Sequence, residues 1–386
     1  MKKILYLHAG AEMYGADKVL LELVKGLDKN KFEAHVILPN NGALFEELKK
    51  VGAYVKVVHY PILRRKYFNV QGIVHYIRDY FKYSKVLLDY VREYKINIIH
   101  NNTTAVLEGI YLKKRAKIPL IWHVHEIIVK PKMISDFINF LMGRNADKIV
   151  TVSKAVKDHV VKSRFIQDNQ VEVIYNGVDN DVYFVMEASK IRQKFGISQE
   201  SVIIGMVGRV NSWKGQNDFL EAVTPILEEN PDFVAFLAGS AFEGEEWRVK
   251  ELDDKIAGLS VSKQIQRIDY YPNTMELYNM FDLFVLPSTN PDPLPTVVLE
   301  AMACGKPIVG YRHGGITEMV LEGYNGLIAD VKNPNSLSKK IKELLMNDTE
   351  LAEFGRHSVE RQKSQFSLDS YISHFTKLYR ECRSDK

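Results

Sequence analysis

The strongest constraint in this sequence is its rhythm. Short apolar runs rich in β-branched residues alternate with amphipathic stretches, and the series runs twice. In the first half, "ILYLHA" (4–9), "AHVILP" (34–39), "INIIHN" (96–101), "PLIWHVHE" (119–126) and "KIVTVS" (148–153) read as strands. Apolar residues at helical spacing fill the intervals, as in "GADKVLLELVKGL" (15–27) and in a helix near 43–51. Such runs are strands buried on both faces, which calls for parallel sheets covered by helices on each side. The series restarts after 180 with "VIIGMVG" (202–208), "FVAFLAG" (233–239), "QIQRID" (264–269), "LFVLP" (283–287) and "KPIVGY" (306–311).

A chain of 386 residues is also too long for one ordinary core. The sequence therefore predicts two doubly wound α/β domains, 1–185 and 186–366. The linker lies within "NGVDNDVYFVMEASKIRQKFGI" (176–197). The tail 367–386 carries an amphipathic helix, "SLDSYISHFTKLYREC", with Ser367 as N-cap, expected to pack back on the first domain. Facing domains of this kind form a cleft, and their ligands sit at the carboxyl ends of strands.

Composition narrows the function classes. The chain is 46% hydrophobic and 26% charged, as soluble globular proteins are. Its two cysteines, Cys304 and Cys382, fit no zinc spacing and no disulfide framework, which favours a reducing cytoplasm. No stretch approaches the ~20 apolar residues that span a bilayer, and "MKKILYLHAG" is too quickly interrupted for a signal peptide. Any membrane contact is expected to be peripheral. Residues 1–150 carry 25 Lys and Arg against 14 Asp and Glu, a balance of +11. Residues 201–300 carry 7 against 16, a balance of −9. The basic half suits an anionic partner: membrane lipid, a phosphorylated substrate or nucleic acid. No helix-turn-helix or RNA-binding signature accompanies it, so nucleic acid is not expected.

The residues just after each strand hold the candidate chemistry. In "GMVGRVNSWKG" (205–215), Gly208 ends a strand and Arg209 and Lys214 follow. A planar donor fork and a point charge suit a diphosphate, although the loop alone is equally a solvated basic loop. Ser240 ends the next strand, and Tyr270 follows another, where an aromatic ring could stack on a base or simply pack. In "PDPLPTVVLEAMACG" (291–305), prolines stiffen a turn before an apolar helix that Gly305 closes. The unpaired amides of its first turn, at Thr296, Val297 and Val298, suit an anion. Asp292 precedes that helix and Glu300 lies within it, so the two acids can reach opposite ends of one ligand. Read alone, they are a loop acid and a paired helix acid. "HGGITEMV" (313–320) adds a Gly-Gly pair that permits close backbone approach. In the first half, His123 and His125 lie two apart without an evident third metal ligand, and a histidine at a strand end fits better. "HAGAEMYGADK" (8–18) lacks the Gly-Lys-Ser/Thr ending of a P-loop.

Several of these motifs coincide in order. "YGADKVLLEL", "WHVHE", "TVSKAVKDHV" with "VIYNGVD", "GRVNSWKG", "DPLPTVVLEAMACGKPIVG" and "HGGITEMVLEGYNGLI" together resemble the GT4 family of retaining glycosyltransferases, whose fold is GT-B. The resemblance spans nearly the whole chain and implies roles. Arg209 and Lys214 would neutralise a donor diphosphate in place of a metal ion, so neither metal nor cofactor is expected. The amides near Thr296, Val297 and Val298 would support the same phosphates. Glu300 would bind the donor ribose and Asp292 the transferred sugar. His125 would stand near sugar and acceptor, and Gly15 would let backbone approach the donor phosphate. Gly208, Ser240 and Tyr270 complete the expected donor side. Two positions depart from the family pattern: Asp292 stands where Glu is usual, and Tyr14 replaces the first glycine of an N-terminal pair.

The expected activity is transfer of a hexose-type sugar from a nucleotide diphosphate sugar to a glycan acceptor, with retention. No acid is evident as a nucleophile, so same-face internal return is the expected route. Basic "LRRKY" (63–67) beside aromatic-rich sequence suggests an anionic membrane surface met through Arg64, Arg65 and Lys66. The acceptor is then lipid-linked, and the protein cytoplasmic, on the inner face of the cell membrane. The alternatives are a soluble transferase acting on a small sugar or sugar phosphate, and a non-catalytic sugar-nucleotide-binding protein.

Overall fold

A computed structural model describes residues 1–64 and 67–382. The chain divides into two compact units, Met1–Gly177 with a returning C-terminal segment, and Val178–Ser367. Each is a parallel sheet with helices between successive strands.

The first unit contains β1 (Lys2–Leu7), β2 (Phe32–Leu38), β3 (Tyr54–Val57), β4 (Ile98–Asn101), β5 (Leu120–Val124), β6 (Lys148–Thr151) and β7 (Val171–Val173). Their order is β3-β2-β1-β4-β5-β6-β7, all parallel. The order reverses direction between β1 and β4, the position where doubly wound sheets open a ligand crevice. Leu7 pairs with Asn101, and Asn101 with Trp122, so β1 and β4 end level and β5 runs two residues further, to Val124. Residues just past these ends are thereby neighbours.

The helix Leu368–Glu381 belongs to this unit. Its Tyr371, Phe375, Leu378 and Tyr379 join Ile4, Tyr6, Leu20 and Val36 in one core. Their spacing of three and four residues makes one helical face. Lys2 Nζ donates to the carbonyls of Tyr379, Arg380 and Cys382 at 2.8, 2.9 and 2.7 Å. A cation there satisfies carbonyls that no helical amide reaches and complements the negative end of the helix.

The second unit contains β8 (Val202–Val207), β9 (Phe233–Ala238), β10 (Ile265–Ile268), β11 (Leu283–Leu286), β12 (Ile308–Tyr311) and β13 (Gly326–Ala329). They run parallel in the order β10-β9-β8-β11-β12-β13. Its reversal falls between β8 and β11. The unit begins at Val178 rather than at the expected 186. The reason is that residues 178–186 are bonded into it: Val178 N–H donates to the Phe366 carbonyl at 3.0 Å. Asn279 holds both sides of the same segment, its Oδ1 accepting from Met186 N–H at 2.8 Å and its Nδ2 donating to the Phe184 carbonyl at 3.0 Å.

Candidate active site

In the second unit the switch point carries the predicted basic loop. Gly208 follows β8 directly and its N–H donates to the Ala238 carbonyl at 2.9 Å, extending the sheet by one bond. The Arg209 guanidinium lies 3.7 Å from the ring centroid of Phe242. Asn211 Oδ1 accepts from the backbone N–H of Trp213 and Lys214 at 3.0 and 2.9 Å, a local turn that aims Lys214. Gly215 then has φ +86°, and a Cβ there would stand 1.9 Å from the Pro287 carbonyl oxygen. Only glycine lets this loop lie against the end of β11. Thr289 N–H clamps it there through the Trp213 carbonyl at 2.7 Å.

This clamp brings Lys214 to Asp292. Lys214 Nζ donates to Asp292 Oδ2 at 2.5 Å, and both side chains are largely buried. Asp292 is fixed from behind by the Gly-Gly pair. Its carbonyl accepts from Gly315 N–H at 2.8 Å, and Gly314, with φ +65°, passes so close that a Cβ would meet that oxygen at 2.4 Å. His313 Nε2 contacts the Ser288 carbonyl at 2.5 Å, tying the same two loops together.

The helix Thr296–Ala303 follows, with Pro295 at its N-cap and no side-chain cap. Thr296 and Val297 are half-buried. The expected trio of amides is altered at its third member: Val298 N–H donates to the Pro295 carbonyl at 3.0 Å. Glu300, on the buried face, accepts from the Tyr278 hydroxyl at 2.7 Å through Oε2. Tyr278 is itself fully buried, and burial together with the Glu300 carboxylate holds its hydroxyl well above the usual range. The hydroxyl therefore stays a donor. Ser240 Oγ accepts from Tyr270 N–H at 2.9 Å, and the Tyr270 ring is 67% exposed beyond the sheet edge.

The first unit places His125 just beyond β5. Its Nε2 faces Asn102 Oδ1 at 3.4 Å, Asn102 Nδ2 meets His8 Nδ1 at 3.0 Å, and His8 Nε2 meets Asp17 Oδ1 at 2.7 Å. Asp17 Oδ2 also accepts from Tyr14 N–H at 2.9 Å, fixing the start of the helix that Gly15 opens. Gly15 is exposed, and nothing lies within 4 Å of where its Cβ would stand. His125 is thus linked through Asn102, His8 and Asp17 to the Tyr14 N–H, one residue before Gly15. Burial and then His8 push the His125 pKa down to about 3, so its ring is neutral. Glu126 accepts from Thr103 Oγ1, from Thr104 N–H at 3.3 Å and from His125 N–H at 3.1 Å, which sets the backbone turn beneath the histidine. His123 points instead into the core, 5.0 Å from the Phe375 ring. Among the described residues no three His, Cys, Asp or Glu side chains are grouped to hold a metal ion.

Arg64 is exposed, with a guanidinium nitrogen 3.4 Å from the Ala9 carbonyl. Arg65 and Lys66 lie outside the described residues. Sequence reasoning missed Tyr278, Asn102 and His8. For the last two a signal existed: "NNTT" (101–104) is a polar run at the end of a buried strand, level with the end of β1.

Two successive parallel doubly wound sheets, matched over nearly their whole length by solved glycosyltransferase structures, have the GT-B fold. Two family models match consecutive parts of the chain: Glycosyltransferase Family 4 over residues 13–182 and Glycosyl transferases group 1 over residues 187–361. The chain belongs to this family of glycosyltransferases. It is 27% identical over 330 residues to spore coat protein SA of Bacillus subtilis, covering 80% of this chain and 85% of that one. It is 27% identical over 221 residues to N-acetyl-alpha-D-glucosaminyl L-malate synthase of Bacillus anthracis, covering 57% and 56%. Among solved structures, Anabaena Alr3699/HepE in complex with UDP and glucose matches with a TM-score of 0.85 at 25% identity, over 99% of this chain and all of that one. A sucrose-phosphate synthase from Thermosynechococcus elongatus shares the fold, with a TM-score of 0.77 at 16% identity.

Proposed function

We propose that this protein transfers a hexose-type sugar from a nucleotide diphosphate sugar to a glycan acceptor, with retention and without a metal ion. The reading rests on one observation above all, the Lys214–Asp292 pair clamped at the β8–β11 switch point. The relative HepE, seen with UDP and glucose, supports a donor of this class. In the transition state positive charge grows on the sugar and negative charge on the departing phosphate. Lys214 and Arg209 face the negative end, together with the amides of Thr296 and Val297. Charges fixed by the Asn211 turn and by Gly215 need little reorganisation as the phosphate leaves, which is where such groups act most strongly. Asp292 holds sugar hydroxyls and Glu300 the ribose. His125, neutral at physiological pH, is a hydrogen-bond partner for sugar or acceptor rather than a cation. The leaving phosphate itself takes the acceptor proton on the same face of the sugar.

The acceptor is a lipid-linked glycan met from the cytoplasmic side, and the product belongs to a cell-surface polysaccharide or glycoconjugate. The basic balance of residues 1–150 and the exposed Arg64 support this side of the reading. No helix among the described residues is long and apolar enough to cross a membrane. The deciding experiment screens nucleotide sugars for thermal stabilisation, then measures transfer with the best donor. Lys214→Ala should lower turnover by about 100-fold or more, the scale of losing one preorganised donor. Near-normal transfer by that variant overturns the assignment.

A further inference from the structure

The helix Val70–Tyr94 carries an apolar face that no described residue of its unit covers. Val70, Ile73, Val74, Ile77 and Phe81 are 80, 49, 62, 49 and 50% exposed. Their spacing of three and four residues puts them on one sector about 100° wide. An ordinary surface helix turns that kind of sector inward. Here the helix does so only over its C-terminal half, where Ser84, Leu88 and Val91 on the same sector are buried, and over Val70–Phe81 the sector is left exposed. Residues 60–88 also hold six Lys and Arg against one acid. On the helix itself Arg78, Lys82 and Lys85 are exposed and border the apolar sector, and Asp79 pairs with its neighbour Arg78 at 2.9 Å.

The position of this face in the fold is informative. Tyr60 donates to the His8 carbonyl, and Leu63 N–H donates to the Ala105 carbonyl at 2.9 Å, so the segment leading to the helix lies at the carboxyl edge of the sheet. A second exposed apolar set consists of Val129, just before the helix Lys132–Asn145, and Met133 and Phe137 in its first turns. That helix follows β5, so it too begins at the carboxyl edge. Right-handed crossovers toward β4 and toward β6 put both helices on the same face of the sheet. The edge is the one that holds His125.

We infer that the exposed face of Val70–Phe81 seats in the interface of an anionic bilayer, its apolar residues among the acyl chains and Arg78, Lys82 and Lys85 at the headgroups. This is how an amphipathic helix with basic flanks lies on a membrane. A second copy of the chain fits less well. Two such faces would oppose like charges, and five side chains are far fewer than the roughly 20–30 per side of a stable protein interface. The inference rests on the lipid-linked acceptor reading for its purpose: it keeps the His125 edge at the surface where such an acceptor lies.

The test is sedimentation of the full chain with vesicles, without donor or acceptor. Phosphatidylcholine vesicles are compared with vesicles containing about one third phosphatidylglycerol. The wild type should bind the anionic vesicles and bind neutral ones weakly. Ile73→Ser/Ile77→Ser/Phe81→Ser should reduce that binding at least tenfold, with unchanged circular dichroism and unchanged thermal stabilisation by UDP. Lys82→Gln/Lys85→Gln should reduce it roughly 25-fold, at about fivefold per basic residue. A wild type that binds neither vesicle, or a triple-serine variant that binds as the wild type does, overturns the inference. So does a wild-type dimer in sedimentation velocity that the triple variant dissolves. Vesicle binding that persists while only soluble acceptors are glycosylated sinks the acceptor reading and leaves this inference standing.

Discussion

Lys214 and Asp292 are 78 residues apart in sequence and 2.5 Å apart in the structure, each satisfying the other at the switch point between β8 and β11. The pair makes Asp292 answerable to two partners. Asp292→Asn removes the carboxylate that holds Lys214 while keeping size and hydrogen-bonding groups. The freed ammonium then has the diphosphate as its partner. Stabilisation by UDP alone should therefore rise or hold, while kcat falls by 10-fold or more because the sugar loses a charged acceptor. Paired thermal-shift and turnover measurements check this. Loss of UDP binding together with turnover would mean that Asp292 serves only the fold.

Tyr278 donates to Glu300 from full burial. With Oε2 occupied, the carboxylate is oriented, and in the proposed reading Oε1 is the oxygen left for the ribose. Tyr278→Phe removes one hydroxyl from a buried site and costs about 1–3 kcal/mol of stability, since Glu300 loses a partner. The KM for the nucleotide sugar should rise several-fold, with kcat less affected. An equal loss in kcat at unchanged KM would contradict a positioning role toward ribose.

How far the sequence disclosed these arrangements depends on what held each element in place. The interior strands were legible because burial on both faces demands apolar residues, and all five readings in each half fall on observed strands, one of them the edge strand β10. β3, β7 and β13 were not read, and all three are edge strands. β3 alternates exposed and half-buried residues over Tyr54–Val57, and β7 has only Val171–Val173, too little pattern to separate from loop. Asp292 and Lys214 were legible as chemistry after strands, but their contact was not, because it depends on Gly215 and Gly314 folding two loops together. Tyr278 was hidden for another reason. It lies in the helix Thr274–Met280, where an aromatic residue reads as packing, and only the turn of the helix aims its hydroxyl at Glu300.

His125 gives a prediction in pH. Burial and the neighbouring His8 push its pKa down to about 3, against an ordinary 6.5. It therefore does not titrate between pH 5 and 8, and kcat/KM should show no limb near 6.5 that belongs to it. His125→Gln should lower kcat/KM across that range without changing the shape of the profile. A limb at 6–7 that vanishes in the variant would show a histidine that titrates. Stability follows the same shift: a depressed pKa contributes stability above 6.5 that is lost as pH falls toward 3. Burial also pushes His100 down to about 3, which steepens the acid limb.

Glu108 works in the opposite sense. It is completely buried at the start of the helix Glu108–Ala116, with Oε2 accepting from Leu107 N–H at 3.1 Å. Burial pushes its pKa up to about 8, so the folded chain keeps it protonated at neutral pH. The unfolded chain releases that proton near the ordinary carboxyl value of 4.5. The contribution to stability is thus full below about 4.5 and is lost as pH rises through 8. Across that window the loss is on the order of 3–5 kcal/mol, since each unit of difference is worth about 1.4 kcal/mol. Glu108→Gln keeps the shape and cannot ionise, so the variant should match the wild type at pH 4.5 and exceed it at pH 8. Comparing variant with wild type cancels the histidines, whose slopes are common to both. Hydrogen exchange of the β4 and β5 amides at pH 5 and 8, corrected for intrinsic rates, reports on this unit directly. Equal pH slopes in the two proteins would mean that Glu108 reaches water or an unseen partner when it ionises.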